Sequence, residues 1–335
     1  MNIYLKPVEA CNLACKHCYN GTPNSDRLAI NEATVRFLAS LVSESKDDEN
    51  WLILHGGEPL MASPEQLRAV TAINIPGVKK RITTNLAMEL SAPRKETLLS
   101  MDDIRTSFDV GLGRFSTLRH FLTWVRNVLW CRENNLNLST LNVCLSAKLV
   151  ATDPTKLLKM ALQLGFKKIS FENLCLTGRL AKHQGALVPS PREVDQWLLK
   201  LYNSLTAFKN IEIANFISLK AGICGDWKNY RGKACCDQAF TINADGTIGS
   251  CPNSARTSIL GDISMSGAEI VSRKCSSCST RLSHIQECLA CSYFKQCRGG
   301  CREQDWIDGV CPYPKATADA IRKDLTNESV PILSM

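Results

Sequence analysis

The sequence predicts an α/β fold. Six parallel strands alternate with helices and curl into a partial (β/α)6 TIM-like barrel, and a small cysteine-rich domain follows. Three observations carry this reading. Strand-length apolar runs alternate with helix-period segments six times within about 180 residues, which argues for parallel strands with helices outside and right-handed crossovers. Candidate functional residues fall at or just past strand C-termini, where such barrels carry their sites. Eleven of the seventeen cysteines lie from Cys224 onward, in a stretch poor in long apolar runs. Such a stretch buries too little apolar surface to offset chain entropy, and metal ligation supplies the missing stability. The expected division is a barrel over 1–210, a cysteine-rich domain over 222–315 and a C-terminal tail over 316–335.

Taken in order, Ile3 to Val8 forms the first strand and delivers the chain into a cysteine loop. Val35, Leu38, Leu41 and Val42 recur at helical spacing between Asn31, a capping residue, and Ser45. Trp51 to Leu54 is a buried strand that ends in His55, Gly56, Gly57, Glu58 and Pro59. Ser63 and Pro64 open the next helix, Ser as cap and Pro in the first turn. Lys80 to Thr84 is a strand followed by Asn85, Ser91 to Leu99 a short helix, and Ile104 to Asp109 the fourth strand. A long amphipathic helix spans Arg114 to Asn134, with Phe115, Leu118, Leu122, Val125, Leu129 and Trp130 as its apolar residues. Leu138 to Leu145 alternates like a strand, Asp153 starts a helix ending near Gly165, and Lys168 to Glu172 is the sixth strand. Pro191 to Phe208 reads as a further helix.

Bulk properties narrow the classes. The formal net charge of +8 favours an acidic partner such as a peptide, but the basic residues are scattered, without the run that marks a nucleic-acid tract. The N-terminus lacks the apolar core of a signal peptide, and no apolar run is long enough to cross a bilayer. An intracellular, cytoplasmic protein is expected, with no membrane partner. In a reducing compartment, clustered cysteines read as metal-binding or redox-active, not as a disulfide framework.

Cys11, Cys15 and Cys18 are spaced C-x3-C-x2-C. A four-iron cubane usually takes four cysteines, so three from one loop leave one iron open to a non-protein ligand. Zinc structural sites usually take four protein ligands. This loop after a first strand, with His17 before the last cysteine, resembles the radical S-adenosylmethionine (radical SAM) superfamily. Gly56, Gly57, Glu58 and Pro59 after the second strand extend the match, as do Ser107 and Asp109 at the end of the fourth. The resemblance implies that SAM occupies the open iron and that one electron from the reduced cluster yields a 5′-deoxyadenosyl radical. Glu58 and the backbone of Gly56 and Gly57 would then hold the methionyl ammonium, and the glycines, lacking Cβ, would let the backbone approach the ligand. Asn85, Ser107 and Asp109 would bind the ribose or methionyl group. Arg114 or Arg119 would pair the carboxylate, and His17 would wall the adenine. His55 divides evenly between packing and lining the site.

The C-terminal cysteines resemble the SPASM extension of radical SAM proteins. The matching features are Gly246-x4-Cys251 and then Cys288-x2-Cys291-x5-Cys297-x3-Cys301 and Cys311. The resemblance implies two auxiliary [4Fe-4S] clusters, three clusters in all. Cys288, Cys291, Cys297 and Cys311 would hold the distal one. Cys251, Cys301 and Cys235 or Cys236 would hold the nearer one, with Cys224 as a fourth ligand or an open iron in its place. Cys275 and Cys278 are an extra pair outside this pattern. Cys131, Cys144 and Cys175 read as small core residues.

Sulfatase-maturing relatives carry an Asp directly after the G-x4-C cysteine, and here that position is Pro252. The resemblance therefore points to a peptide maturase that closes a C–C or C–S cross-link in a ribosomal precursor peptide. Asp237, Glu172 and Asp226 are the candidate bases, and the Gly178–Arg179 turn is a candidate wall of the substrate channel. Only ten residues precede Cys11, so leader recognition would fall to a separate leader-binding protein or a surface of this chain. A reductant such as flavodoxin or ferredoxin is implied. Two other classes stay open: a radical SAM enzyme acting on a small molecule or nucleotide, and a non-enzymatic iron–sulfur or zinc protein.

Overall fold

The computed structural model describes residues 1–335 apart from 21–25, 183, 227–238, 279–283, 302, 303, 305 and 329–335. Ten strands form one sheet: β1 (Asn2–Leu5), β2 (Asn50–Leu54), β3 (Val78–Thr84), β4 (Asp103–Phe108), β5 (Leu138–Cys144), β6 (Lys168–Glu172), β7 (Glu212–Ile213), β8 (Ala239–Ile242), β9 (Thr247–Gly249) and β10 (Ile259–Asp262). The order is β10-β9-β8-β1-β2-β3-β4-β5-β6-β7. β1 to β7 are parallel throughout, and β8 adds to the free edge of β1, also in parallel. β9 and β10 complete an antiparallel meander. The sheet therefore crosses the expected boundary near residues 210–222.

Helices of more than two turns are α1 (Glu32–Ser43), α2 (Pro64–Ala72), α3 (Ala92–Leu99), α4 (Leu118–Glu133), α5 (Pro154–Gln163), α6 (Pro191–Ser204), α7 (Ala214–Cys224), α8 (Gly267–Cys278) and α9 (Lys315–Glu328). Local chemistry sets the starts of the first two. The Asn31 side chain accepts from Thr34 N, and Ser63 forms a capping box with Gln66. The first strand ends at Leu5, short of the expected Val8: Lys6 N still donates to Ile242 O at 3.0 Å, Pro7 has no N–H to give, and Val8 makes an isolated bridge to Arg27. The helix expected to reach Phe208 ends at Ser204 and tightens into a single 3-10 turn.

The two faces of the sheet differ in kind. Ile3, Leu5, Leu52, Leu54, Ile82, Leu141, Val143 and Ile169 face the helices and form the core. On the other face, strand register sets Ser107 beside Asn142 and Asn142 beside Ser170, with Glu172 beside Cys144 one step nearer the C-terminal ends. Polar side chains there line a concave interior. Its floor is an ion cluster: Asp103 accepts from Arg81 Nε at 2.5 Å, from Arg105 Nε at 3.1 Å and from Ser139 Oγ at 2.5 Å. Arg81 also lies 3.9 Å over the Trp51 ring.

Helix α4 corrects the expected apolar face. It begins at Leu118, not Arg114, with Thr117 accepting from His120 N. Trp124, Asn127, Val128 and Cys131 are buried, whereas Leu118, Leu122 and Leu129 are 70%, 55% and 45% exposed. Two anchors set the rotation. Trp124 donates from Nε1 to Thr106 Oγ1 at 3.0 Å and stacks in a cluster with Phe108, Phe115 and Phe121. Asn127 donates to the carbonyls of Leu86 and Met88 at 2.8 and 2.6 Å. These buried polar bonds are made only with that face inward, and losing them would cost more than hiding the leucines returns.

The expected C-terminal tail is largely helix α9. Asp195 on α6 caps it, accepting from Ala316 N at 2.8 Å and Thr317 N at 3.0 Å. Tyr202 on α6 donates to Asp324 at 2.8 Å.

The floor cluster yields a stability prediction. Burial alone would raise the Asp103 pKa, but the Ser139 hydrogen bond and the Arg105 and Arg81 charges outweigh it and hold it below its ordinary value. A depressed carboxyl contributes stability above its unfolded pKa of about 3.9 and loses it as pH falls through the folded value. Asp103→Asn should destabilise by about 3–5 kcal/mol, as for a broken buried pair. Denaturant melts at pH 7 and pH 3 check this, and the mutant deficit should shrink at the lower pH.

Candidate cofactor site

The chain leaves β1 into the loop that carries Cys11, Cys15 and Cys18, at the C-terminal edge of the sheet. Cys18 N donates to Cys15 O at 3.3 Å, which closes the turn between these two cysteines. Leu13 N donates to Cys11 Sγ at 3.4 Å, and Lys16 N is held by Leu112 O at 3.0 Å. Cys15 is buried; Cys11 and Cys18 are half-buried. Burial pushes the Cys11 thiol up to about 11 and raises that of Cys15. Metal binding must displace these protons.

Two glycines seat the loop. A Cβ on Gly57 would lie 2.2 Å from Glu9 O and 2.3 Å from Ala10 O, and one on Gly178 would lie 2.4 Å from Cys18 O. Gly57 N and Glu58 N donate to Val8 O and Ala10 O, and Arg179 N donates to Cys18 O at 3.0 Å. Gly56 is likewise backed by Val8 O, at φ +131°. These glycines permit a close approach to the backbone that carries the cysteine loop, and the Gly178–Arg179 turn supports Cys18 from behind.

Glu58 is buried and accepts three hydrogen bonds. Its carboxylate accepts from Thr84 Oγ1 at 2.7 Å, Asn85 N at 2.7 Å and Leu60 N at 3.1 Å, and burial raises its pKa. It fixes the end of β3, and Pro59 behind it is buried. Asn85 Nδ2 donates to Asn12 Oδ1 at 2.9 Å and stands 3.9 Å from Cys11 Sγ. Asn85 is thus tied to the loop itself.

On the opposite side stand Asp109, Arg114 and His17. Asp109 Oδ2 lies 3.4 Å from Arg114 Nε and 3.9 Å from His17 Nδ1, while its Oδ1 accepts from Leu112 N at 3.2 Å. Burial, with Arg114 beside it, holds His17 neutral, its pKa down to about 3. Asp109 Oδ2, Arg114 Nε and His17 Nδ1 are all buried without a hydrogen-bond partner. Three such atoms side by side make a polar recess that a ligand with donors and acceptors would complete. Arg119 is exposed on α4 and does not share this recess.

Several neighbours went unread in the sequence. Asn142 Oδ1, buried and unpaired, sits in register with Ser107. Tyr19 OH is 3.0 Å from Nδ1 of His55, the residue expected either to pack or to line the site, and burial, with Lys6 nearby, holds His55 neutral. Buried Glu9 lies 3.2 Å from Arg256, which also reaches Asp26 and Asp245. Isolated polar residues in strands and loops carry no periodic signal that would mark them. Cys131 is buried as expected; Cys144 and Cys175 are half-buried, and Cys175 Sγ accepts from Asn253 Nδ2 at 3.2 Å.

Of the candidate bases, Glu172 stands exposed at the end of β6 and accepts from Ser170 Oγ at 2.9 Å. Asp226 is exposed just past α7. Asp237, Cys235 and Cys236 lie outside the described residues. Cys288, Cys291, Cys297 and Cys311 line one cavity of about 480 Å³, walled by Tyr293, Trp306 and Tyr313. Cys251 is buried, Cys301 half-buried, and Cys224 exposed at the end of α7. Cys275 and Cys278 fall in α8, one turn apart. Among the described residues no three His, Cys, Asp or Glu side chains close around a single ion. A four-iron cluster takes one thiolate per iron and does not need that convergence.

A family model described as a 4Fe-4S single cluster domain matches residues 3–114. No curated protein matches the chain significantly. Among solved structures, anSMEcpe with bound AdoMet superposes with a TM-score of 0.76 at 17% identity, covering 98% of this chain and 96% of that one. anSMEcpe with AdoMet and the Cp18Cys peptide gives 0.73 at 15% identity, over 98% and 97%. Streptococcus suis SuiB bound to its precursor peptide SuiA gives 0.67 at 15%, over 90% and 72%. The fold is that of the SPASM-type radical SAM enzymes.

The seating of the loop is testable. Gly57→Ala should leave the far-ultraviolet circular dichroism intact but displace the Glu9–Cys11 backbone. Iron retained after anaerobic reconstitution and gel filtration should fall, whereas Gly185→Ala, with no positive φ and nothing within 4 Å of its Cβ position, should retain wild-type iron.

Proposed function

We propose that this chain is a radical SAM/SPASM maturase that modifies a ribosomally synthesised peptide, forming an intramolecular C–C or C–S cross-link. The observation that carries the reading is the pairing, on this fold, of a three-cysteine loop with a cluster of buried charged and polar atoms that lack hydrogen-bond partners beside it. The donor set fits a [4Fe-4S] cluster with one open iron, and the recess fits a polar ligand of that iron. Cys11, Cys15 and Cys18 would hold the cluster; Asp109, Arg114 and His17 would face SAM, with Ser107 and Asn85 on its flanks. The four cysteines around the distal cavity fit a second, fully protein-held cluster. Cys251 and Cys301, with Cys224 and Cys235 or Cys236, are the set proposed for a third. Cluster and SAM together would supply a 5′-deoxyadenosyl radical able to take a hydrogen atom from the substrate.

The protein's own part is positioning and charge. Arg114 is kept charged by Cys15 and Asp109, although burial opposes it, and suits a carboxylate. His17, neutral, presents a flat wall without a competing cation. The polar interior formed by Ser107, Asn142 and Ser170 offers hydrogen bonds to a peptide backbone. Glu172, at the rim of that interior, is placed to accept the proton that ring closure releases. Solved relatives carry peptides in this fold, SuiA on SuiB and Cp18Cys on anSMEcpe, which supports a peptide over a small molecule.

Anaerobic reconstitution should give about twelve irons per chain, four per cubane, and dithionite should drive release of 5′-deoxyadenosine. Changing any of Cys11, Cys15 or Cys18 to Ala should abolish that release. Cys288→Ala should spare it and stop product formation on a precursor peptide. Full iron loading without 5′-deoxyadenosine would overturn the enzyme reading.

A further inference from the structure

The outward face of α4 is built for contact. Leu118, Leu122 and Leu129 share that face, all exposed. Exposed Leu99 ends the neighbouring helix α3, whose Lys95 lies 5.4 Å over the α4 Trp130 ring. A row of large apolar side chains left in water marks an interaction surface. One flank is cationic: Arg119 and Arg126 are exposed on α4 with the single exposed acid Glu133, while Arg132 packs inward on Leu164 and Phe166. Two copies of this face brought together would oppose their arginine rows, which disfavours self-association. The complementary surface is acidic with an apolar centre.

The helix's position identifies the kind of partner. The loop entering α4 holds the cysteine loop, through Lys16 N and Leu112 O at 3.0 Å. Exposed Lys16 sits between Cys15 and Cys18, next to Gly113. Leu112 and Gly113, which meet the cysteine loop, stand six and five residues before the start of α4 at Leu118. The reaction proposed above, on which this inference rests, consumes an electron delivered to that loop from outside the chain.

We propose that the Leu118–Leu122–Leu129 face of α4, with its arginine flank, is the docking surface for an acidic, low-potential electron-carrier protein. Contact is small and transient, as redox encounters are, and electrostatic steering governs its rate. The carrier is oxidised by one electron and the cluster site reduced by one; no atom is transferred.

The test uses the reconstituted full-length chain with reduced flavodoxin and with a [2Fe-2S] ferredoxin as probes. At least one should bind, with affinity falling about tenfold or more between 0.05 and 0.3 M salt as exposed charges are screened. Leu118→Ser/Leu122→Ser and, separately, Arg126→Glu should each weaken that binding about tenfold and slow carrier-driven 5′-deoxyadenosine release to match. Dithionite-driven release should be unchanged in both. No binding of either probe, or variants that bind like wild type, overturns the proposal. So does a wild-type dimer that the serine variant turns into monomer, or binding to anionic phosphatidylserine vesicles that the variants lose while carrier binding stays. Failure of dithionite to yield 5′-deoxyadenosine would instead strike the proposed reaction, and the binding measurements would still decide the surface.

Discussion

A methyl group at position 57 would sit 2.2 Å from the carbonyl oxygen of Glu9, closer than any side chain can approach. The backbone after β2 and the backbone after β1 are pressed together there, and Gly178 makes the same contact from the other side. Main chain therefore seats the cysteine loop on two sides. Hydrogen bonds from Gly57, Glu58 and Arg179 to its carbonyls complete the clamp, and Leu13 and Cys15, buried in the core, and Asn12, bonded to Asn85 and Ala87 O, anchor it from within. The placement of the three thiols depends on this seat.

Around the seat, charge is distributed unevenly. One side is well bonded: the Glu58 carboxylate accepts from Thr84, Asn85 and Leu60. The other is unfinished, with Asp109, Arg114 and His17 each keeping a buried atom without a partner. A folded chain tolerates such atoms where ligand binding later satisfies them. Glu58 of the Gly-Gly-Glu-Pro stretch also ties the end of β3 to the turn after β2.

Much of this was legible in the sequence because it rests on short-range rules. Apolar runs marked β2, β3 and β6 to within two residues, and Asn31 and Ser63 announced their helices through capping chemistry. The cysteine spacing pointed to the loop. The rotation of α4 was not legible, since it is decided by a buried asparagine bonding carbonyls some 40 residues earlier. Periodicity weighs leucines as inward, and here tertiary hydrogen bonds outvote them. Asn142 and Arg256 were equally hidden, because their meaning lies in strand register and in a contact spanning most of the chain.

The parallel pairing of β8 with β1 makes the cysteine-rich region something other than a detachable accessory. Cut away near residue 222, it would leave β1 as an open edge with unpaired donors and acceptors, a template for pairing with other chains. Glu9 would lose Arg256 and remain in the interior with Lys6, 3.8 Å away, as its remaining described cation. The N-terminal part would thus carry an unprotected strand edge beside the cysteine loop. Any history that joined these two halves had to solve an aggregation problem at the same seam where it placed the cysteine loop.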